Sequence, residues 1–346
     1  MPKENKIYHP NIRQLARRLG LSHTTVSLAL RGHPRISAAT RKRVQAAAED
    51  LGYRPNALVS ALMRQVRSNR RIISNETVAF LTGGNTPDHW RRHRTIVENF
   101  EGAKAQAEVL GFKLEPFWLG PRGRDAQAGA KILHTRSIRG SILAPLPVPH
   151  ETIALDWDRT AVVAVGYSFT QMPLHRAAHH HVNGMLTLYK ELRALGYSRI
   201  GLAMTTQDMI RVQHYWMAGL LTGQFVFGGQ PISPLTFQDN SEKQKLFEWR
   251  EAGNPDVIVS IGWDVYRWLQ ERRIRIPTDV AFAHLGLDGA YPGVAGIDQK
   301  SKIIGAAAVD LLVGQIYRNE YYVPRQPKIM LLDGEWIPGR TAPRIG

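Results

Sequence analysis

The 346-residue sequence contains no cysteine, which removes disulfides, thiolate zinc sites, iron–sulfur clusters and cysteine nucleophiles together. It has no apolar run near the roughly 18 residues that a bilayer-spanning helix needs. Its first residues, MPKENKIYHPNIRQLARR, are polar and basic and lack the apolar stretch of a secretory signal. The expectation is a cytoplasmic protein with no membrane partner. Acidic residues are scarce as well: 29 Asp and Glu stand against 45 Lys and Arg, a formal net charge of +16. At 43% hydrophobic residues the chain is nevertheless able to bury sizeable cores, and its length allows two or three domains.

The charge is unevenly placed. Residues 1–75 hold fifteen Lys and Arg against three Asp and Glu, so twelve of the sixteen excess positive charges lie in under a quarter of the chain. A basic module joined to a near-neutral body points to a polyanionic partner for the module. The boundary falls at Arg64–Asn75, RQVRSNRRIISN, which is polar and poor in core residues. Beyond it, short apolar runs alternate with amphipathic stretches. Thr77–Leu81, Phe112–Leu119, Arg139–Pro145, Thr160–Val165, Ile200–Met204, Val257–Ile261 and Val280–Leu285 read as strands. Arg91–Leu110, Val182–Leu195, Asp264–Arg272 and Ile303–Tyr317 read as helices, the first two closed by Gly111 and Gly196. This alternation predicts an α/β body with parallel sheets flanked by helices, and about 270 residues of it predict two lobes.

In the basic module, Asn11 is placed to cap a helix over Ile12–Leu19, with Ile12, Leu15, Ala16 and Leu19 on one face. Gly20 ends it and Leu21 plugs the corner. Ser22 caps a second helix, His23–Leu30, with Val26 and Leu30 inward; Ser37 caps a third, Ala38–Leu51, closed by Gly52. Two short helices joined by a tight glycine-containing turn describe a helix-turn-helix. In that geometry Ser22, His23, Thr24 and Thr25 face base edges in the major groove. Arg17, Arg18, Arg31, Arg35, Arg41 and Arg43 surround them within reach of phosphates. A lone charge run is ordinarily a solvated face; three capped helices carrying this charge argue for DNA.

The segment NIRQLARRLGLSHTTVSLALRGHPRISAATRKRVQAAAEDLGYRPNAL closely resembles the DNA-binding headpiece of the LacI/GalR family of transcriptional regulators. The family pattern A-x-x-x-G-[VL]-S-x-x-T-V-S, the R-I-S-x-x-T-R segment with Thr40, and the L-G-Y-x-P-N close all fall in register. The resemblance implies a small all-α helix-turn-helix headpiece and a two-lobed α/β core like that of periplasmic binding proteins. It implies that Ser22, Thr25 and Ser27 contact the DNA backbone, that His23 and Thr24 read bases, and that Tyr53 and Asn56 lead into a hinge helix over 56–63. Leu62 falls at the leucine that wedges into a minor-groove step and kinks the duplex. Leu28 departs from the family, which has a base-contacting Arg there; an apolar group at that position would instead touch a thymine methyl. The expected domains are then the headpiece at 1–64, a linker at 65–76 and the core at 77–340. Within the core, one lobe is expected at about 77–175 and 300–328, the other at about 176–299 and 329–340.

The body carries none of the common catalytic signatures: no G-x-S-x-G, H-E-x-x-H, G-x-x-x-x-G-K-[ST] or G-x-G-x-x-G after a strand. Asp156-Trp157-Asp158 reads as a loop rather than a metal site. Three consecutive histidines, His179-His180-His181, point alternately in an extended chain and make a poor single metal site. No catalytic residue, metal or cofactor is expected, and the chain is not expected to be an enzyme. A binding crevice at the strand C-terminal ends is expected instead. The loops there (82–90, 146–150, 166–172, 205–211, 262–264 and 287–291) supply Trp90, Tyr167, Arg211, Trp263 and Asp264, aromatic faces beside charged groups as sugars require. By resemblance, Gly262-Trp263-Asp264 lies where the family has A-N-D, and Gln299 would line the cleft. Val182 stands where the family has an Asp before Asn183.

Together these features lead to a homodimeric, sequence-specific DNA-binding regulator, a repressor by family analogy. Its partners are double-stranded operator DNA, a second copy of itself and a small effector, a sugar or sugar derivative, bound between the lobes. The short, Pro/Gly-rich stretch Asp333–Gly346 offers no heptad for a tetramer. The rival reading is a cytosolic α/β ligand-binding protein or enzyme whose basic arm holds nucleic acid without sequence preference.

Overall fold

The computed structural model describes residues 12–30, 35–50, 76–120, 138–147 and 159–345, with positions 131, 133, 135, 136, 153, 155 and 157. The chain divides into two units, Met1–Ser74 and Asn75–Gly346. In the first, helices α1 (Ile12–Leu19), α2 (His23–Leu30) and α3 (Ala38–Asp50) enclose a small core of Leu15, Ala16, Val26, Ala29, Val44 and Ala48. Leu19, Leu21 and Leu30 pack at its margin. Asn11, the boundary at 64–75, Asp156 and Asp158 lie outside the described residues.

The second unit holds two six-stranded sheets. Strands β1 (Thr77–Thr82), β2 (Lys113–Trp118), β3 (Gly140–Leu143), β4 (Ala161–Val165) and β5 (His175–His179) form the first, with β11 (Ile329–Leu332) at one edge, in the order β11-β5-β4-β3-β1-β2 and parallel throughout. The second contains β6 (Ile200–Thr205), β7 (Leu235–Phe237), β8 (Val257–Ser260), β9 (Ala281–His284), β10 (Ala295–Asp298) and β12 (Glu335–Ile337). Its order is β12-β10-β9-β8-β6-β7, with only β12 antiparallel to its neighbour. The intervening helices are α4 (Arg94–Val109), α5 (His181–Ala194), α6 (Thr206–Arg211), α7 (Tyr215–Phe227), α8 (Lys243–Gly253), α9 (Trp263–Glu271) and α10 (Ser301–Arg318).

Sheets covered on both faces explain why the strands read as continuous apolar runs rather than alternating ones. Val78 and Phe80 enter one cluster while Ala79 and Leu81 enter the cluster on the opposite face. In the second sheet, Ala281 and Ala283 face one cluster and Phe282 the other. Each fully buried large side chain contributes about 1.5–3 kcal/mol.

The lobe boundaries expected above are shifted. Ile329–Leu332 pairs with His175–His179, Leu332 opposite His179, so both segments belong to the first sheet and not the second. β5 has the sequence HRAAH, which carries no apolar signature, yet all five positions are buried. The expected loop at 205–211 is instead the helical turn α6, and the helix expected from Arg91 begins at Arg94 after a short 3-10 turn, His89–Arg92. Among the described residues, no helix is long and apolar enough to cross a membrane.

Helices α4 and α10 meet with backbone against backbone. A Cβ on Gly102 would overlap the carbonyl of Lys302, and one on Gly305 the carbonyl of Asn99. Helix propensity alone favours Ala over Gly by about 1 kcal/mol, whereas overpacking against a fixed backbone costs about 1–3 kcal/mol or more. The clash therefore decides the sign. Gly102→Ala is expected to lower the urea unfolding free energy of the protein by about 1–2 kcal/mol, and a gain would show that the crossing opens freely.

Burial also lowers the pKa of four core histidines: His175, His179 to about 4, His181 to about 3, and His284 to about 4. These bases are neutral when folded and bind protons below about pH 6.5 when unfolded. The unfolded state therefore takes up more protons as pH falls, and stability drops from pH 6.5 toward 4. Asp279, held at about 2 by Arg275, loses its contribution only below the ordinary carboxylate range. The urea midpoint is expected to decline already between pH 6.5 and 4.5, the window of the histidines.

Candidate functional sites

In the first unit, the turn between α1 and α2 is fixed by chain geometry. Gly20 has a φ of +64°, a left-handed conformation that glycine adopts without strain. The Leu21 amide donates back to the Ala16 carbonyl at 3.0 Å, which closes α1. Ser22 then caps α2: its Oγ accepts the Thr25 amide at 3.0 Å and lies 2.7 Å from Thr25 Oγ1. Ser37 repeats the device at α3 with the Thr40 amide at 3.2 Å. Such a cap contributes about 1 kcal/mol.

His23, Thr24 and Ser27 fall on the two turns of α2, behind the exposed Ser22. Leu28 is partly exposed and lies outside the small core. Arg17 and Arg35 are exposed, but two of the expected phosphate contacts already serve the headpiece itself. Arg43 donates to the Leu19 carbonyl at 2.7 Å, and Arg18 lies 3.5 Å from Asp50. Arg31, Tyr53, Asn56, Leu62 and the expected hinge helix lie outside the described residues.

In the second unit, a cavity of about 100 Å³ opens where strands of both sheets end. From the first sheet, the turn after β4 brings Tyr167 and Ser168, and the end of β5 brings His179. From the second, α6 brings Arg211 and the residue after β10 is Gln299. Thr95 and Asn99 of α4 and His181 at the start of α5 complete the polar wall.

Several of these side chains are held by an identifiable contact. Ser168 Oγ accepts the Leu146 amide at 2.8 Å, and Gln299 Nε2 donates to the Leu285 carbonyl at 2.8 Å. Arg176 is buried, donates to the Gly166 carbonyl at 2.8 Å, and lies 5.1 Å over the Tyr167 ring. The Tyr167 ring is edge-on to Tyr215 and His181, and His181 is edge-on to Trp216 at 4.7 Å. Arg211 reaches across to the Pro147 carbonyl at 3.0 Å, which Gln207 Nε2 also meets at 2.7 Å. Asn99 Oδ1, Arg211 Nε and His181 Nδ1 are buried without a hydrogen-bond partner, whereas His179 has the Leu332 backbone beside it. Buried polar groups are ordinarily paired, and the unpaired ones gathered here make this cavity the candidate site for a polar ligand.

The structure thus brings together Tyr167, Arg211 and Gln299 of the expected effector set and separates the other three. Trp90 is buried in the first lobe, edge-on to Phe100 at 5.2 Å. Trp263 stacks on His284 at 3.8 Å and donates to Asp288 at 3.2 Å. Asp264 sits in the first turn of α9, pairs with Arg267 one turn on, and is not among the residues lining the cavity. An aromatic next to a strand end is as readily drawn into the core as into a crevice, and composition does not distinguish the two.

Asn99, His179 and His181 were not anticipated as wall residues. For the histidines the signal was present: positions i and i+2 of an extended chain share a side. His180 between them turns away and caps α5 by accepting the Asn183 amide at 3.1 Å. Among the described residues no cluster of side chains is arranged to hold a metal ion.

Residues 11–56 match the model for bacterial regulatory proteins of the lacI family. A curated relative, the HTH-type transcriptional regulator AglR of Rhizobium meliloti (strain 1021), is 54% identical over 52 residues, 15% of each chain. A structure described as a transcriptional regulator CelR–cellobiose complex is similar over 96% of this chain and 100% of its own, with a TM-score of 0.62 at 19% identity. The lac repressor dimer bound to operator and the anti-inducer ONPF is similar over 97% of this chain and 99% of its own, with a TM-score of 0.57 at 19% identity. The N-terminal unit is a LacI-family helix-turn-helix domain, and it is joined to a core with the two-lobed α/β fold of LacI-type regulators.

Proposed function

We propose that the protein is a cytoplasmic, homodimeric transcriptional regulator that binds a specific operator and releases it, as a repressor does, in response to a small hydroxylated effector in the core cavity. The reading is carried by one observation: a capped helix-turn-helix, matched to AglR at 54% identity, holds fifteen basic against three acidic residues within positions 1–75. Supporting it, one similar structure is a cellobiose complex and another is a dimer on operator DNA. In an isologous dimer the two headpieces would meet a pseudo-palindromic site, each placing the N-terminal end of α2 in a major groove. Effector contact with both lobes would favour one closure of the core over another, and differential operator affinity of the two closures would follow. No catalytic role is proposed.

Selection from random duplex DNA at about 150 mM salt tests this, because specific complexes are roughly 10³–10⁷-fold tighter than nonspecific ones. Enrichment of an inverted repeat is expected, with affinity falling steeply as salt rises. If no sequence is enriched, with or without a metabolite extract, the regulator reading fails in favour of a nonspecific basic arm.

Within an enriched site, His23→Ala and Thr24→Ala are expected to relax preference at one or two positions per half-site, each costing about 1–3 kcal/mol against the preferred base. Arg17→Ala is expected instead to weaken all sequences alike and to reduce the salt slope by about one unit. Equal effects of the two classes on every sequence would remove His23 and Thr24 from the reading face.

A further inference from the structure

The cavity wall has a lopsided chemistry. Among the described residues lining it there is one permanent cation, Arg211, and no carboxylate. Its remaining polar groups are amides, hydroxyls and imidazoles: Asn99, Gln299, Thr95, Tyr167, Ser168, His179 and His181. A sugar hydroxyl both donates and accepts, and the amides, hydroxyls and neutral imidazoles of the wall can meet it in either sense. A guanidinium is a fork of donors with no acceptor, and it matches a carboxylate or phosphate two bonds at a time.

Of the nearby acids, Asp208 forms a long ion pair with Arg211 at 4.0 Å and accepts the Thr205 hydroxyl at 2.7 Å, but it does not line the cavity. Asp298 pairs with Lys300 at 2.9 Å, and Asp333 takes the Asn183 amide at 2.8 Å. Further positive charge lies close by. Arg176 stands behind the Tyr167 ring, its guanidinium 5.1 Å from the ring centroid. Arg211 Nε is itself buried without a partner. At about 100 Å³ the space is smaller than the roughly 300–1,000 Å³ of sites that enclose drug-sized ligands, and it suits a group of about one sugar ring.

We infer that the cavity takes a polyhydroxylated anion of monosaccharide size, whose carboxylate or phosphate pairs with Arg211 and whose hydroxyls meet the amides and imidazoles. This rests on the cavity being the effector site. It narrows the ligand from sugars in general to sugar acids and sugar phosphates.

The experiment is calorimetric titration of the full-length protein, without DNA, with matched probes: gluconate, glucuronate and glucose 6-phosphate against glucose, and galacturonate against galactose, with cellobiose as the neutral disaccharide. At least one anion is expected to bind at least tenfold more tightly than its neutral partner. The carboxylate and phosphate arms tell which anion the cavity prefers. Arg211→Gln is expected to lose that preference and Arg211→Lys to keep part of it, with circular dichroism melting establishing that each variant is folded. Neutral sugars binding as tightly as the anions, failure of every anion, or undiminished anion binding by a folded Arg211→Gln protein would each overturn the inference. Because binding is read on the protein alone, the ligand class is decided separately from any operator response.

Discussion

The crossing of α4 and α10 at Gly102 and Gly305 is the constraint on which the core depends. Two helices brought to backbone contact fix each other's rotation about their axes, since neither has a side chain at the crossing to slide upon. On α4 this turns Thr95 and Asn99 toward the cavity, and on α10 it turns Ile304 the same way. It also carries the chain from the second sheet back onto the first, so that β11 can add to the edge beside β5. Two small residues thereby connect the packing of one lobe to the position of the binding groups.

The polar groups of the cavity come from both lobes. Tyr167, Ser168 and His179 come from the first sheet, and Arg211 and Gln299 from the second. The electrostatics follow from burial: desolvation keeps both imidazoles neutral, leaving Arg211 as the fixed charge of the wall. The Pro147 carbonyl, which Arg211 and Gln207 both meet, ties α6 to the loop after β3. A ligand group arriving at Arg211 would therefore act at the point where the two lobes already touch.

Much of the fold was legible because the strongest signals were local. Gly20, Ser22 and Ser37 declare helix ends through their own backbone and hydroxyl chemistry, and the strands TVAFLT and AVVAV declare burial through composition. What was illegible depended on distant partners. β5, HRAAH, reads as a polar loop, yet Arg176 is satisfied by the carbonyls of Gly166 and Phe169 and His175 by the Lys328 amide. α7, Tyr215–Phe227, is apolar on nearly every side and so shows no helical period; Leu221, Phe225 and Val226 remain exposed on it. At the candidate site, Trp90 and Trp263 have the right chemistry for a sugar face, but Trp90 is buried in the core and Trp263 stacks on His284 at the margin of another cluster. Asn99 gives no local sign at all, because its place is set by a helix crossing 200 residues away in sequence.

The chain passes between the two sheets three times: from β5 into α5 and β6, from β10 through α10 to β11, and from β11 directly to β12. The last link is only two residues, Asp333 and Gly334, and a Cβ on Gly334 would press on Ile297, the Asp298 carbonyl and His179. Such a joint has little freedom to stretch or shear. Its consequence is kinematic: the lobes are left with essentially one coordinate, an angle, as a door has on its pin. A ligand that touches both walls then needs to choose only that one number. Whatever reads the state of this core would need to measure no more than that.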